Sequence, residues 1–555
     1  MIYSTFAYTG LALSVIVLAV SVYMDKKGKT RSVKALNAIG AFIDKYAYVF
    51  LILAFGAFLV SRIFRIDIVP NGFHIDELSM AADAKSILNS GTDRWGIHYP
   101  PYFQNYGGGQ NALYTYIQAF ILSFLPPTIF AFRIQAVFWG AVCFFAVYGI
   151  CYELTGNKGY SLIGPVLVTT LPVYIMSERW GLESYLFLPF SAIVLYILIR
   201  AIKYKQTVYI ILSGAFMGVS LYTYAPSYIV WPIFLVLTGI YLFRIGKVDI
   251  KKLLMFVIPL GIVALPLILF QLVNFGILQP FTLGISEYRP LPVEREQELT
   301  AAAILYNFRF YKRMFLGGED LTYNSLKEFG TIYLFLLPFV IIGFVMCFQK
   351  TVKSFKEKNF AIEPLFLFFW FGATVFLHLV KAPNVNRVNE IFMPFTLFIV
   401  IAVYNLLKDK SVALSVLTVW LGASFVFFMY FYLSVQNDVY GLHSLHTSAT
   451  PAKAIERCEK QYLKDENTHI YIQFADIDLE KNEQAFYFAG GSDAVFDEDN
   501  PTYGNVTAEL SGELDVNANA IYIIGDQWPH ITSYLISEGF EADQTLPGYS
   551  ILYRK

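Results

Sequence analysis

Long apolar runs recur along most of the chain, and they limit its folds more than any other feature does. A run of about 17 to 22 apolar residues can cross a bilayer as a helix. Only 15% of the 555 residues are charged, whereas soluble domains contain about 25%. We therefore predict an α-helical polytopic membrane protein. Its expected spans, about twelve in number, lie near residues 3–23, 47–65, 128–150, 160–177, 183–200, 208–224, 227–243, 252–272, 331–348, 361–380, 391–407 and 412–433.

The lysines and arginines between these runs predict an orientation. Short cytoplasmic loops of membrane proteins are enriched in Lys and Arg. With the spans above, every basic loop falls on the same side, which we interpret as the cytoplasm. These loops contain Lys26–Lys34, Lys158, Lys203–Lys205, Arg244–Lys252, Lys350–Lys358 and Lys408–Lys410. The loops 66–127, 273–330 and 381–390, together with the tail 434–555, are then extracytoplasmic.

The tail is polar and predicts a small extracytoplasmic α/β domain. The segments HIYIQF, AIYIIG and YSILYR are rich in β-branched and aromatic residues, as strands are. The segments AKAIERCEKQYL and ITSYLISEGF are typical of helices. A length of about 120 residues is ordinary for a domain.

An acidic pair, Asp76 and Glu77, follows directly after an apolar run, in NGFHIDELSMAADAKSIL. Carboxylates near a bilayer are costly unless they are solvated or functional. The pair is followed by apolar residues at helical spacing: Leu78, Ala81, Ala82, Ala84, Ile87 and Leu88. This spacing predicts an amphipathic helix on the membrane surface. Two interpretations stay open, because the pair could stabilise the helix dipole or supply a general base.

The same outer loop continues with GIHYPPYFQNYGGGQNALYTYIQAF. Pro100 and Pro101 stiffen the turn that contains His98 and Tyr99. The run Gly107–Gly109 permits a close approach of the backbone. The segment 110–125 is apolar but short, so we expect an interfacial or re-entrant helix. A substrate-binding loop and a packed re-entrant hairpin are both compatible with this composition.

Three cations stand in short outer loops, where Lys and Arg are usually avoided. Arg179 lies in SERWGLES together with Glu183, and Lys381 and Arg387 lie in KAPNVNRVNE. A phosphate at the level of the lipid headgroups is a natural ligand for such cations. The alternative is that their side chains extend to the headgroups of ordinary lipids.

Several classes of function find no support in the sequence. The net charge is −1, and nucleic-acid binding would call for a basic stripe. The tail contains a single cysteine, Cys458, so it has no disulfide framework. His74 beside the acidic pair suggests a metal ligand, but a lone His in such a place is more often a hydrogen-bonding residue.

The outer-loop motifs resemble those of the GT-C membrane glycosyltransferases, in particular the protein O-mannosyltransferase and aminoarabinose-transferase branch. The most specific match is HIDELSMAADAKSILNSG followed by GIHYPPYF. SERWGLESYLFLPFSAIVLYIL and NVNRVNEIFMPFTLFIV resemble later stretches of the same family. The resemblance covers roughly residues 47–433. It implies a GT-C-like catalytic domain in that range, an extra span and basic loop at 1–46, and the separate domain 434–555.

The resemblance also implies a reaction and a set of site residues. The donor in this family is a polyprenyl-phosphate sugar, and the acceptor, a lipid, glycan or protein hydroxyl, approaches from the outer side. Asp76 matches the catalytic base, while Glu183 stands where the family often has Asp. Some members need a divalent cation, so Mg²⁺ or Mn²⁺ stays open as a cofactor. The remaining candidates for substrate binding are Arg179, Lys381, Arg387, Asn389, His98 and Tyr99.

We therefore predict an inverting glycosyltransferase in which Asp76 deprotonates the acceptor and Glu77 and Glu183 orient hydroxyl groups. The cations would stabilise the charge on the departing phosphate. A transporter or flippase of lipid-linked sugars would have a similar number of spans. Such proteins place charged sites near the middle of the membrane, in two related halves, whereas these charges cluster at one face. An accessory protein that binds through its tail would leave the loop cations unexplained.

Overall fold

A computed structural model describes residues 2–27, 34–105, 108–292, 307, 309–317, 326, 329–376, 383–408, 410–439, 446–448, 450–463, 468–476, 478, 480–489, 494–508, 510, 514, 516 and 519–554. The predicted phosphate ligand Lys381 and Gly107 of the glycine run lie outside the described residues.

Helices make up most of the described chain. They are α1 (Ile2–Lys26), α2 (Lys34–Lys45), α3 (Ala47–Ile63), α4 (Ile75–Ser90), α5 (Ala112–Leu122), α6 (Ile129–Thr155), α7 (Lys158–Ser161), α8 (Ile163–Thr170), α9 (Pro172–Ser177), α10 (Glu183–Tyr204), α11 (Thr207–Ser220), α12 (Ser227–Arg244), α13 (Ile250–Asn274), α14 (Arg309–Leu316), α15 (Leu337–Glu357), α16 (Glu363–Phe371), α17 (Phe392–Leu407), α18 (Ser411–Val439), α19 (Thr450–Arg457), α20 (Lys481–Ala489) and α21 (Pro529–Ser537). Leu334–Leu336 and Asn389–Ile391 are 3₁₀ turns, and Gly372–Phe376 and Cys458–Tyr462 are π-helical.

Within the described residues, 8 helical segments are long and apolar enough to cross a membrane. The count becomes 9 if α2 and α3, which are bent by 86° relative to each other, form one broken span. The 8 segments are Tyr3–Lys26, Ile129–Thr155, Glu183–Tyr204, Ser227–Arg244, Ile250–Asn274, Leu334–Glu357, Asn389–Leu407 and Ser411–Ser434. The chain is thus a multi-pass membrane protein, as predicted. Its count of full-length spans in the described part is lower than the twelve expected.

Two of the predicted spans are short or broken in the structure, and a third is described only in part. Residues 160–177 form α8 and α9, because Pro172 cannot continue a helix and holds Leu171 in an extended conformation with ψ 134°. The predicted span 208–224 is α11, which ends at Ser220 after 14 residues. In 361–380, α16 passes into a π-helical turn, a feature that is frequent at functional sites.

Twelve strands are short, and half of them form one sheet. They are β1 (Phe73–His74), β2 (Tyr102–Asn105), β3 (Gly108–Asn111), β4 (Phe281–Leu283), β5 (Ser286–Tyr288), β6 (His446–Thr447), β7 (His469–Gln473), β8 (Thr502–Tyr503), β9 (Val506–Ala508), β10 (Ala520–Gly525), β11 (Glu541–Leu546) and β12 (Tyr549–Tyr553). The 6-stranded sheet has the order β11-β12-β10-β7-β9-β8, with β7 parallel to both β9 and β10. The three segments predicted as strands are β7, β10 and β12, and the two predicted helices of the tail are present as well.

Helices cover both faces of this sheet, which explains why β10 is buried along its whole length. Ile470 and Ile523 pack on one face with Phe486 of α20. Tyr522 and Ile524 pack on the other face with Leu535 of α21. The tail therefore has its own hydrophobic core, in agreement with the predicted α/β fold.

The chain divides into two compact units. The helical unit consists of Met1–Phe64, Ala136–Ile268 and Glu296–Ser434. The mixed unit consists of Arg65–Gln135, Leu269–Arg295 and Val435–Lys555. The mixed unit thus includes α4, the hairpin β2–β3 and the sheet of the tail. The domain boundaries at residues 47 and 434 stay a prediction.

Candidate functional site

The acidic pair opens helix α4 of the mixed unit, and its two carboxylates lie in different environments. His74 is the N-cap residue: its Nδ1 accepts a hydrogen bond from the backbone N–H of Asp76 (3.1 Å), and its own N–H donates to Oε2 of Glu77 (3.0 Å). This reciprocal arrangement is a capping box, which satisfies N–H groups at the helix start. The Glu77 side chain is completely buried, whereas that of Asp76 is 38% exposed.

Glu77 is held by a buried arginine that the sequence analysis did not single out. Arg133 Nε and Nη2 donate to the two carboxylate oxygens of Glu77 at 3.0 and 2.9 Å. The same guanidinium donates to the carbonyl oxygens of Ile66 (3.1 Å), Pro70 (2.8 Å) and Gly72 (2.5 Å). The bidentate pair therefore fixes the start of α4 to the loop that precedes it.

Asp76 is the accessible carboxylate of the pair. Its Oδ1 accepts a hydrogen bond from Nδ2 of Asn105 in β2 (3.2 Å), and its Oδ2 lies 3.5 Å from His74 Nδ1. His74 Nδ1 already accepts the backbone N–H of Asp76. Its contact with the Asp76 carboxylate is therefore not by itself evidence of an ion pair. The helix start thus presents an oriented, partly solvated carboxylate, which is the geometry that a general base needs.

His98 and Tyr99 lie in the turn after α4, also in the mixed unit. Gly91 ends α4 with a left-handed φ of 73°, and a Cβ there would come within 2.9 Å of the Tyr99 ring. The His98 side chain is exposed, and its backbone is held by Glu287, whose N–H donates to the His98 carbonyl oxygen at 2.8 Å. The turn is therefore rigid at its base and accessible at His98.

The hairpin β2–β3 brings Asn105 to Asp76, and its packing requires a glycine at position 109. A Cβ on Gly109 would lie 2.2 Å from the Tyr102 ring and 2.7 Å from Leu291 Cδ1. Tyr102 in turn stacks on Phe270 with ring centroids 5.0 Å apart. Gly109 therefore allows close packing in this hairpin.

Helix α4 is present, but the prediction that it is amphipathic, with one apolar face and one exposed polar face, is wrong; its position at the membrane surface stays a prediction. Its apolar residues Leu78 and Ala81 are fully buried, and so is Asp83 on the predicted polar side. Lys85 is buried as well, and its Nζ donates to the carbonyl oxygens of Phe486 (2.7 Å) and Tyr487 (3.1 Å). Burial lowers the pKa of Lys85 to about 7. The helix is thus surrounded by protein on both faces.

Residues of the tail supply much of this enclosure, which the sequence did not reveal. Strand β1 pairs with β6 in antiparallel register, with Phe73 opposite Thr447. Asn89 Nδ2 donates to the carbonyl oxygen of Ala494 at 2.8 Å, and Arg94 Nη1 donates to Oε1 of Glu483 at 2.7 Å. The predicted extracytoplasmic domain is therefore packed directly on the helix that carries Asp76.

An acidic cluster accompanies Arg94 at this contact. Arg94 Nε donates to Oδ1 of Asp83 at 3.0 Å, and its Nη1 lies 4.0 Å from Oε2 of Glu480. Burial, reinforced by the neighbouring Asp83 carboxylate, raises the pKa of Asp93 to about 7. Burial, followed by repulsion from Glu483, raises the pKa of Glu480 to about 8, and Asp76 adds a smaller repulsion. The folded mixed unit therefore holds protons that an unfolded chain would release.

We expect this cluster to make thermal stability fall as the pH rises. Glu480 has an ordinary pKa of 4.5 and a folded pKa of about 8, so the folded state binds more protons in that window. The contribution of Glu480 to the stability of the folded state is complete below pH 4.5 and is lost as the pH rises through 8. The substitution Glu480→Gln should therefore flatten the decline of Tm between these limits. The exposed control Glu498→Gln should keep the wild-type slope; equal slopes in all three proteins would contradict the assignment.

In the helical unit, Arg179 is fully buried at the end of α3. Its Nη1 donates to the carbonyl oxygens of Ser61 (2.9 Å) and Arg62 (2.8 Å), and its Nη2 donates to that of Phe64 (2.9 Å). Its guanidinium also lies 5.7 Å from the ring centroid of Tyr432. These contacts neutralise the negative end of the α3 dipole, so the structure gives Arg179 a helix-capping position.

Arg62 forms a second buried pair beside Arg179. Its Nε lies 2.6 Å from Oε2 of Glu178, and its Nη2 donates to the carbonyl oxygen of Val168 at 2.7 Å. Tyr185 donates to the other carboxylate oxygen of Glu178 at 2.6 Å. This network ties α3, α8 and α10 together, so the outer turn SERWGLES starts from a rigid base.

The structure brings together the two short loops of the helical unit that were predicted to lie outside. Ser184 Oγ donates to Oδ1 of Asn386 (2.6 Å), and Ser177 Oγ donates to Oδ1 of Asn389 (3.2 Å). Glu183 is half-buried at the first turn of α10, Arg387 is half-buried, and Asn389 is fully buried. Of the predicted residues in this unit, Asn389 thus joins the loops, while Glu183 and Arg387 retain exposed surface.

The arginines that the sequence analysis overlooked share one signal. Arg62 and Arg133 both stand inside apolar runs, in AFLVSRIF and FAFRIQAV. An ionisable residue in such a run is expected to be paired and to have a role. The signal marks the residue, but it does not identify the partner.

Among the described residues, no three His, Cys, Asp or Glu side chains are grouped as metal ligands. Asp76 lies beside His74, but Glu77 turns its carboxylate to Arg133. Among the described residues, this arrangement therefore offers no preformed site for the Mg²⁺ or Mn²⁺ that was left open.

The chain has the GT-C fold that the outer-loop motifs led us to expect. It is similar to ArnT from Cupriavidus metallidurans bound to undecaprenyl phosphate, with a TM-score of 0.53 and 10% identity over 92% of this chain and 98% of that chain. The apo state of the same ArnT gives a TM-score of 0.52 and 11% identity over 92% and 97%. No protein-family model and no curated protein matches the sequence. At such low identity the likeness concerns the fold.

Proposed function

We propose that the chain is a glycosyltransferase that moves a sugar from a polyprenyl-phosphate donor to an acceptor hydroxyl at the outer face of the membrane. The observation that carries this proposal is the half-exposed carboxylate of Asp76 at the start of a buried, capped helix. The likeness to ArnT bound to undecaprenyl phosphate supports the donor class. The acceptor is a lipid, a glycan or a protein.

In the proposed reaction Asp76 is the general base. It takes the proton of the acceptor hydroxyl while the acceptor oxygen attacks the anomeric carbon. The bond from that carbon to the phosphate oxygen breaks, and its electron pair leaves with polyprenyl phosphate. A single displacement of this kind inverts the anomeric configuration. Asn105, at 3.2 Å from Asp76 Oδ1, would hold the carboxylate toward the acceptor.

The other predicted residues divide into binding and positioning roles. We propose that Arg387, and Lys381 outside the described residues, bind the donor phosphate, where they would stabilise the charge of the leaving group. Glu183, His98 and Tyr99 would orient sugar or acceptor hydroxyl groups. Because Glu77, Arg179 and Asn389 bond to protein groups, we propose that they position the loops of the site.

We expect Arg387→Gln to raise the KM for the donor about 10- to 100-fold, the equivalent of one lost charge-assisted hydrogen bond of about 1.5–3 kcal/mol. Arg387→Lys keeps a positive charge and should recover part of the loss. Initial rates at a series of donor concentrations would measure this. An unchanged donor KM in Arg387→Gln would remove this residue from the proposed phosphate site.

The reaction itself is tested with purified full-length protein in lipid nanodiscs. A panel of undecaprenyl-phosphate sugars is supplied with lipid, glycan and peptide acceptors, and the release of undecaprenyl phosphate is measured. Turnover with one donor and formation of an inverted glycoside would support the proposal. Movement of the donor across proteoliposome membranes without cleavage would contradict it and favour a flippase. Repeating the assay with a chelator, and then with added Mg²⁺ or Mn²⁺, tests the need for a metal.

A further inference from the structure

The helical unit contains a large groove that the proposed reaction does not use. Its volume is about 1260 Å³, and its walls come from α2, α3, α8, α17 and α18, with further residues at the start of α15. Cavities that hold small-molecule ligands measure about 300–1,000 Å³. The groove is therefore large enough for a ligand of considerable size.

The lining of the groove changes character from one end to the other. Asn37, Asp44, Asn157, Lys408 and Ser411 line it where α2, the start of α7 and the connection between α17 and α18 meet. Mostly apolar side chains line the remainder, among them Leu53, Val166, Phe339, Ile399 and Leu421, together with Ser415 and Thr418 of α18. A groove that is polar at one end and apolar along the rest matches an amphiphile with one headgroup.

The polar end is built by local contacts. Helix α2 meets α3 at 86°, so it closes the end of the groove and does not continue along the bundle. Oδ1 of Asp44 accepts a hydrogen bond from the N–H of Gly159 at 2.9 Å, which engages that carboxylate with the backbone. The Ser411 hydroxyl is buried and has no hydrogen-bond partner in the described part of the chain, so a polar ligand group at this end would satisfy it.

The charge at this end favours an anionic headgroup. Lys408 lines the groove, and the exposed Lys45 and Lys158 directly follow the lining residues Asp44 and Asn157 in sequence. The Lys408 ammonium is held 5.5 Å from the Tyr404 ring centroid. Basic pockets between transmembrane helices on the cytoplasmic side bind anionic headgroups, and the lysine distribution predicts that side for this end.

We propose that the groove binds one anionic phospholipid of the membrane, with its phosphate at Lys408 and Ser411 and its acyl chains along the apolar walls. Bound in this way, the lipid joins α2 to α17 and α18. The site is independent of the proposed transferase activity, because it involves none of the residues assigned to the reaction.

Native mass spectrometry of the purified full-length protein tests the proposal, with phosphatidylglycerol, phosphatidylcholine and undecaprenyl phosphate as probes. We expect one retained phosphatidylglycerol per chain and at least about tenfold weaker retention of phosphatidylcholine, since the headgroup charge is what Lys408 recognises. Lys408→Gln should remove this preference, whereas Lys350→Gln, a basic residue away from the groove, should keep it.

A second pair of variants on α3 tests the apolar part. Ala54 lines the groove, and Ala54→Trp should narrow it and weaken retention of the acyl chains. Ile52 is 69% exposed and does not line the groove, so Ile52→Trp should bind as the wild type does. If Ala54→Trp fails to fold, the comparison of Lys408→Gln with Lys350→Gln still tests the proposal. Equal retention of both phospholipids, an unchanged preference in Lys408→Gln, or preferential retention of undecaprenyl phosphate would overturn the proposal.

Discussion

Replacement of Asp76 by Asn should lower the rate of sugar transfer by about 10²- to 10⁴-fold, the usual contribution of a general base. Asn has nearly the same shape and can still accept the hydrogen bond from Asn105, but it cannot take up the acceptor proton. The measurement is the initial rate of undecaprenyl phosphate release with the donor that the wild type uses.

The control for this variant is a carboxylate of the same unit without a proposed role. Asp67 is exposed in the turn before β1, and Asp67→Asn should keep the wild-type rate. Thermal unfolding of all three proteins should agree, because Asp76 is partly solvated and its cap hydrogen bond comes from the backbone. A rate near the wild type in Asp76→Asn would assign the base to another residue.

The second large effect is expected on stability. Arg133→Met removes the partner of the fully buried Glu77, and breaking a buried ion pair in this way costs about 3–5 kcal/mol. It also frees three carbonyl groups of the loop before α4. We therefore expect a lower Tm and faster amide exchange in α4, together with weaker activity, because Asp76 stands on the same helix turn.

Two comparisons make this result specific. Adding Glu77→Leu to Arg133→Met removes the unpaired charge and should recover part of the lost stability. Lys353→Met breaks the exposed pair with Glu357 and should cost at most about 1 kcal/mol. If Arg133→Met and Lys353→Met unfolded at the same temperature, the pair would not be what holds the start of α4.

The carboxylate of Asp76 could be found from the sequence, whereas the Glu77–Arg133 pair that holds its helix in place could not. Asp76 and Glu77 were recognisable as a pair at the end of an apolar run, and the pattern that follows gave the correct helix. Two adjacent carboxylates look equivalent in a sequence. The structure separates them, because one faces solvent and the other faces Arg133, which is 56 residues away along the chain. Nothing in the local pattern specifies that distance.

The tail illustrates the same limit on a larger scale. Its strands and helices were predictable, since they depend on short-range apolar patterns. Its contact with α4 was not, because Arg94 and Glu483 are separated by 389 residues. The burial of Lys85 and Asp83 follows from that contact, so a helix with a polar side in the sequence is enclosed on both sides in the structure.

The sequence by itself determined that the chain is a helical membrane protein and that its tail is α/β, whereas the phosphate ligand and the carboxylate base stay predictions. These conclusions rest on hydropathy and residue type, which local physics fixes. Only the tertiary structure decided that Arg62, Arg133 and Arg179 hold helix ends and carboxylates inside the protein. A buried guanidinium must find acceptors, and which carbonyl or carboxylate it reaches depends on how distant segments pack.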